Sequence, residues 1–149
     1  MGIPGFEADF KIVDISDRSK EMPIGESGEI ILKTPAAFKG YWKKPEETKN
    51  TLIDGWVYTG DVGRFDEDGF LYLIGRAKEM IKVSGFSVYP EEVEFMLNKY
   101  PGVAQSAVIG IPDPKKMEVV KAFIVMQPGK TATEDEIKAW AKQNMSAYK

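Results

Sequence analysis

The 149-residue chain contains neither cysteine nor histidine. Without cysteine there is no disulfide framework and no thiolate metal site, and without histidine the commonest general base and metal ligand is missing. Acid–base chemistry is left to Asp, Glu, Lys and Tyr. Long apolar runs are lacking too: no stretch approaches the roughly 20 residues of a membrane span, and the start does not read as a secretory leader. A cytoplasmic location and no transmembrane segment are the expectation. Excess charge of either sign is also absent, with 20 Lys and Arg against 23 Asp and Glu. No basic stripe appears, so no nucleic-acid partner is expected. What is present, 43% hydrophobic residues and three Trp, suffices for a buried core in one domain or two small ones.

The chain divides into two compositional halves. Up to about residue 75 it reads as short strands and turns: "DFKIVD" (9–14), "EIILKT" (29–34), and "GRFDEDGFLYLIG", where Asp68-Gly69 between alternating apolar residues predicts a hairpin. "PEETKNTLIDG" (45–55) reads as a short helix or turn. From Tyr89 the period changes. Pro90 suits a first helical position, Glu91 and Glu92 favour the positive end of the helix dipole, and Val93, Met96, Leu97 and Tyr100 recur at helical spacing before Pro101-Gly102. "VAQSAVIGI" (103–111) and "VVKAFIVMQ" (119–127) read as strands, and Thr133 with Glu136 predicts a capping box that opens a helix through Ile137, Trp140 and Ala141. The fold class is α+β: a β-barrel-like end of one domain followed by a small α+β domain. The join, "GRAKEMIKVSG", is short and charged, and reads either as an ordinary connection between strands or as a hinge.

"WVYTGDVGRFDEDGFLYLIGRAKEMIKVSGFSVYPEEVE" (56–94) crowds an acid, an arginine and two lysines among glycines. Asp61, after Tyr58-Thr59-Gly60, offers two acceptor oxygens that suit vicinal ribose hydroxyls or simply close a turn. Arg76 offers a planar fork of donors for phosphate or ribose oxygens, or a solvated charge. Lys78 and Lys82, four apart, would bracket a phosphate on a helix and share a face on a strand, or are simply solvated charges at an edge. Gly85 in "VSGF" permits close approach of a ligand or forms a bulge.

Taken in order, "YTGD", "GRAKEMIKVSGFSVYPEEVE", "YPGVAQSAVIGIPD" and "VVKAFIV" resemble the C-terminal region of the adenylate-forming superfamily of acyl-CoA synthetases, peptide-synthetase adenylation domains and firefly luciferase. The likeness runs from "PGFEADFKIVD" to "SAYK", and "VSGFSVYPEEVE" looks most like fatty acyl-CoA ligases. The resemblance implies activation of a carboxylate, expected to be a fatty acid, with Mg-ATP to an acyl adenylate. The small domain then rotates so that the thiol of coenzyme A attacks. On that pattern Asp61 binds the ribose of ATP or AMP, with Arg76 and Tyr58 in support and Trp56 beside them. Lys78 is the hinge, Lys82 approaches the adenylate phosphate in the second conformation as the catalytic lysine, and Ser84, Gly85 and Phe86 line the path of the pantetheine arm of CoA.

The family's phosphate loop, its aromatic-Gly-x-Thr-Glu segment and its acyl pocket have no counterpart in these residues, and its Pro-Lys-x-x-x-Gly-Lys segment is not reached. No metal site is expected in the chain; Mg belongs to elements of the large domain that it lacks. The expectation is a truncated piece, inactive alone. Residues 1–75 would be the C-terminal β subdomain of the large AMP-binding domain, and 76–149 the small mobile domain, cut before the terminal lysine motif. The alternatives are a stand-alone nucleotide- or CoA-binding or interaction module, or a piece of an aryl-CoA ligase or amino-acid adenylation domain.

Overall fold

A computed structural model describes residues 2–149. Among them the chain forms two compact units, Met1–Lys78 and Glu79–Lys149.

The first unit is an antiparallel, curled sheet built from β1 (Asp9–Val13), β2 (Gly28–Lys33), β3 (Leu52–Ile53), β4 (Trp56–Phe65) and β5 (Leu71–Arg76). Its path runs β1-β2-β4-β3, with β5 also paired to β4. The predicted hairpin joins β4 to β5 around Asp66–Gly69, where Asp66 Oδ1 accepts the amides of Asp68 and Phe70 at 3.1 and 2.8 Å. Helix α1 (Pro45–Thr51) occupies the segment read as a helix or turn, and it feeds β3, a two-residue strand that the sequence reading did not anticipate. Ile12, Val13, Ile30, Ile31 and Val62 make the core of this unit. Every fully buried CH₂ there contributes about 0.8 kcal/mol by leaving water.

The second unit is a four-stranded antiparallel sheet of order β7-β6-β9-β8, made of β6 (Ile81–Val83), β7 (Phe86–Val88), β8 (Val103–Asp113) and β9 (Met117–Met126), with helices α2 (Pro90–Leu97) and α3 (Glu134–Asn144). Val93 and Leu97 of α2 close a core with Ile81, Val83, Val88 and Val108. The helix stops at Leu97, a turn earlier than the apolar spacing through Tyr100 implies, because Pro101 disfavours helical torsions at the residue before it. Tyr100 packs instead edge-on against Trp140, ring centres 5.7 Å apart. The capping box forms as read: Thr133 Oγ1 accepts the Glu136 amide while the Glu136 carboxylate accepts the Thr133 amide at 2.7 Å. No helix among the described residues is long and apolar enough to cross a membrane.

Candidate functional site

Asp61 lies where β2 loses register with β4. Glu29 pairs with Val62 and Ile31 with Tyr58, so Ile30 alone faces the three residues Thr59, Gly60 and Asp61. This is a bulge, and its extra length turns on Gly60 at φ +72°, a left-handed torsion that glycine adopts without strain. Side chains fix the bulge. The Thr59 hydroxyl donates to the Ile30 carbonyl at 2.7 Å and accepts the Asp61 amide at 3.0 Å, and the Gly60 amide donates to Glu29 Oε1 at 3.1 Å.

Across the strand pair Asp61 meets Arg76, whose Nε donates to Asp61 Oδ1 at 2.8 Å. The two nucleotide-site candidates are thus brought together. Asp61 and Thr59 also border a shallow depression of about 330 Å³ with Phe10, Ile30, Leu32, Leu71, Leu73 and residues 2–5. A carboxylate with one oxygen held by a guanidinium and an open apolar hollow beside it suits a sugar that carries paired hydroxyls. Tyr58 is not brought to this hollow. Its ring lies under the Arg18 guanidinium, 4.7 Å to the ring centre, as Trp56 lies under the Lys11 ammonium at 5.5 Å.

Lys78 is exposed in a 3₁₀ turn, Ala77–Glu79, at the division between the units. Lys82 is half-buried in the middle of β6. The two lysines therefore share neither a helix, on which they would bracket a phosphate, nor a strand, on which they would share a face. Lys82 Nζ donates to the hydroxyl of its cross-strand partner Ser87 at 3.1 Å, and its amide donates to Glu118 Oε2 at 2.7 Å.

The bulge considered at Gly85 is not there. Val83 pairs with Phe86 and leaves Ser84 and Gly85 as a two-residue turn with φ of +50° and +89°, the type I′ geometry whose twist matches that of the strands. The space beside Gly85 Cα is open to at least 4 Å, so what calls for glycine within this unit is torsion, not crowding. Ser84, Gly85 and Phe86 form one exposed tip, and the Phe86 ring stacks on Tyr148 at 4.7 Å.

Two residues of the first unit escaped the sequence reading. Glu29 is 2% exposed although it is charged, and its second oxygen pairs with Arg18 Nε at 3.1 Å. Arg18 also donates to the Asn50 carbonyl at the end of α1, at 3.4 Å. The loop that carries Arg18 is set by two carboxylates. Asp14 binds the Ser16 hydroxyl and amide, and Asp17 binds the Ser19 hydroxyl and amide; these bonds hold both carboxyl groups below their ordinary range.

The curled antiparallel sheet followed by a small unit of helices and sheet matches the C-terminal region of adenylate-forming enzymes, and the chain fits a C-terminal fragment of an adenylate-forming CoA ligase. Residues 92–149 match the AMP-binding enzyme C-terminal domain. The chain is 43% identical to a feruloyl-CoA synthase of an Amycolatopsis species, a match covering 99% of this chain and 30% of that protein. It is 45% identical to a long-chain-fatty-acid–CoA ligase of Bacillus subtilis, over 83% of this chain and 22% of the relative. The o-succinylbenzoate CoA synthetase of Bacillus subtilis, solved with its acyl-adenylate intermediate, superposes with a TM-score of 0.90 at 32% identity, covering 97% of this chain and 29% of that one. The 149 residues thus span between about a fifth and a third of these proteins.

Proposed function

We propose that this chain provides the ribose-binding corner and the mobile C-terminal unit of an ATP-dependent acyl-CoA ligase acting on fatty acids. The reaction joins a carboxylate to the α-phosphate of ATP with release of pyrophosphate; the thiol of CoA then displaces AMP. The observation that carries the reading is the Asp61–Arg76 pair on a braced bulge beside an open hollow. Asp61 accepts from the ribose hydroxyls and Arg76 aligns its carboxylate. Lys82 brings positive charge toward the adenylate phosphate in the second conformation, after the small unit has turned. Lys78, at the division between the units, is the hinge whose rotation brings up Lys82 together with the tip of Ser84, Gly85 and Phe86, along which the neutral pantetheine arm runs.

The residues fit a nucleotide and the CoA arm, whereas they do not fit a metal. Among the described residues no three acidic groups gather as a cation site. The Mg ion that accompanies ATP is assigned no ligand here. A fatty acid is favoured by "VSGFSVYPEEVE" and by the long-chain relative. An aromatic acid is the second reading, favoured by the feruloyl relative, which is 43% identical over 99% of the chain. The 149 residues contain no Gly/Ser/Thr-rich phosphate loop, and we expect them to give no ATP–pyrophosphate exchange alone; measurable exchange would overturn that expectation.

Calorimetric titration with AMP, ATP and CoA tests the ribose site. AMP binding in the wild type, weakened at least about tenfold in Asp61→Ala, is the expected result. Equal AMP affinity in the two proteins, or no AMP heat in the wild type, would overturn a preformed ribose site at Asp61.

A further inference from the structure

We infer that Glu29, braced by Arg18, is a positioning residue for Asp61. A carboxylate removed from water is strongly unfavourable unless donors meet it. Glu29, at 2% exposed, has a donor on each oxygen: the Gly60 amide at 3.1 Å and Arg18 Nε at 3.1 Å. The amide it holds is the middle one of the Thr59-Gly60-Asp61 bulge, at the one residue there with a left-handed torsion. The next amide, that of Asp61, is held by the Thr59 hydroxyl, which is itself anchored to Ile30. Two successive amides of the bulge therefore end on fixed acceptors, and the Asp61 carboxylate leaves this frame toward Arg76.

Arg18 keeps Glu29 in place from outside. It touches three elements at once: Glu29 on β2, the Tyr58 ring on β4 and the Asn50 carbonyl at the end of α1. Removing the Glu29 carboxylate frees the Gly60 amide and lets the bulge relax, so that Asp61 loses its alignment with Arg76 and with a sugar in the hollow. Gln at this position offers only one acceptor oxygen, which serves the Gly60 amide and leaves Arg18 facing an amide nitrogen.

The inference rests on the ribose reading for its ligand, and the experiment separates the two. Hydrogen exchange of the 149-residue chain is followed by NMR for wild type, Glu29→Gln and Glu29→Ala, together with AMP titration. In Glu29→Ala the Gly60 and Asp61 amides should exchange at least about tenfold faster, and AMP binding should weaken by a similar factor. Amides of Ile12 and Ile31 in the same unit, and of β8 and β9, should keep their protection. Glu29→Gln should recover most of the Gly60 protection and part of the affinity. Unchanged exchange at Gly60 and Asp61 in Glu29→Ala would overturn the inference. So would loss of protection throughout β1 and β2, which would make Glu29 a residue of the fold as a whole. If the wild-type chain binds no AMP, the ribose reading fails, while exchange at Gly60 still decides the role of Glu29.

Discussion

Gly60 and Gly85 both adopt left-handed torsions, one in a bulge and one in a turn proposed to meet a ligand, yet the surrounding protein treats them differently. At Gly60 the amide reaches a buried glutamate, and a threonine hydroxyl, an arginine and a cross-strand ion pair complete the frame. At Ser84-Gly85 the turn is exposed. It is tied to the rest of its unit by the Ser84 amide on the Lys116 carbonyl at 2.8 Å and, two residues earlier, by the Lys82 amide on Glu118. The bulge is fixed by side chains without a ligand, which in the proposed function would spare a nucleotide the entropy of ordering its receptor. The second is specified by its own backbone torsions, in keeping with the proposed role of a tip that meets the pantetheine arm in one step.

A glycine-to-alanine pair sets a crowded position of the first unit against the open turn, since at Gly60 itself, as at Gly85, an added Cβ would meet no atom within 4 Å. Gly63, one strand pair beyond the bulge, is buried, and an added Cβ would stand 2.5 Å from the Tyr72 carbonyl oxygen and 2.7 Å from Ile30 Cδ1. The crowding atom includes backbone, so β4 and β5 must separate, and Gly63→Ala should destabilise the first unit by about 3 kcal/mol. Gly85→Ala meets no atom within 4 Å and bears only the torsional strain of φ +89°, about 1 kcal/mol. Urea unfolding monitored by amide signals from each unit reads both values. Equal losses in the two variants would break the distinction between a crowded corner and an open turn.

Much of this was legible locally. The apolar alternation of β1, β2, β8 and β9 marked those strands, Asp68-Gly69 marked the hairpin, and Thr133 with Glu136 marked the start of α3. The hairpin of β6 and β7 was not legible. Each of its strands has three residues, too few for a period to show, and Ser84 is not a residue whose presence announces a left-handed torsion. Glu29 was hidden for another reason. In "GEIILK" a glutamate reads as the solvent side of a strand, and its burial depends on Arg18, 11 residues earlier, and on the Gly60 amide, 31 residues later. Asp61 and Arg76 were visible as chemistry, while their pairing became visible only through the register of β4 with β5.

The smallest expected effect lies at the start of α3, where side chains fix an amide as they do at Gly60 but in full solvent. The bonds from the Thr133 amide and hydroxyl hold the Glu136 carboxyl below its ordinary value of 4.5. Because the folded value is the lower one, the charged group stabilises the helix fully above the unfolded value, and that contribution fades as pH falls through the folded one. Wild type should therefore lose α3 amide protection as the pH drops below 4.5, while Glu136→Gln, which cannot titrate, should start lower at neutral pH and change less in that interval. Parallel acid responses in the two proteins would mean that the capping box contributes nothing measurable. Side-chain bracing of an amide would then count at the buried Glu29 and fail in solvent, and burial rather than the hydrogen bonds would be what sets the Asp61 corner apart.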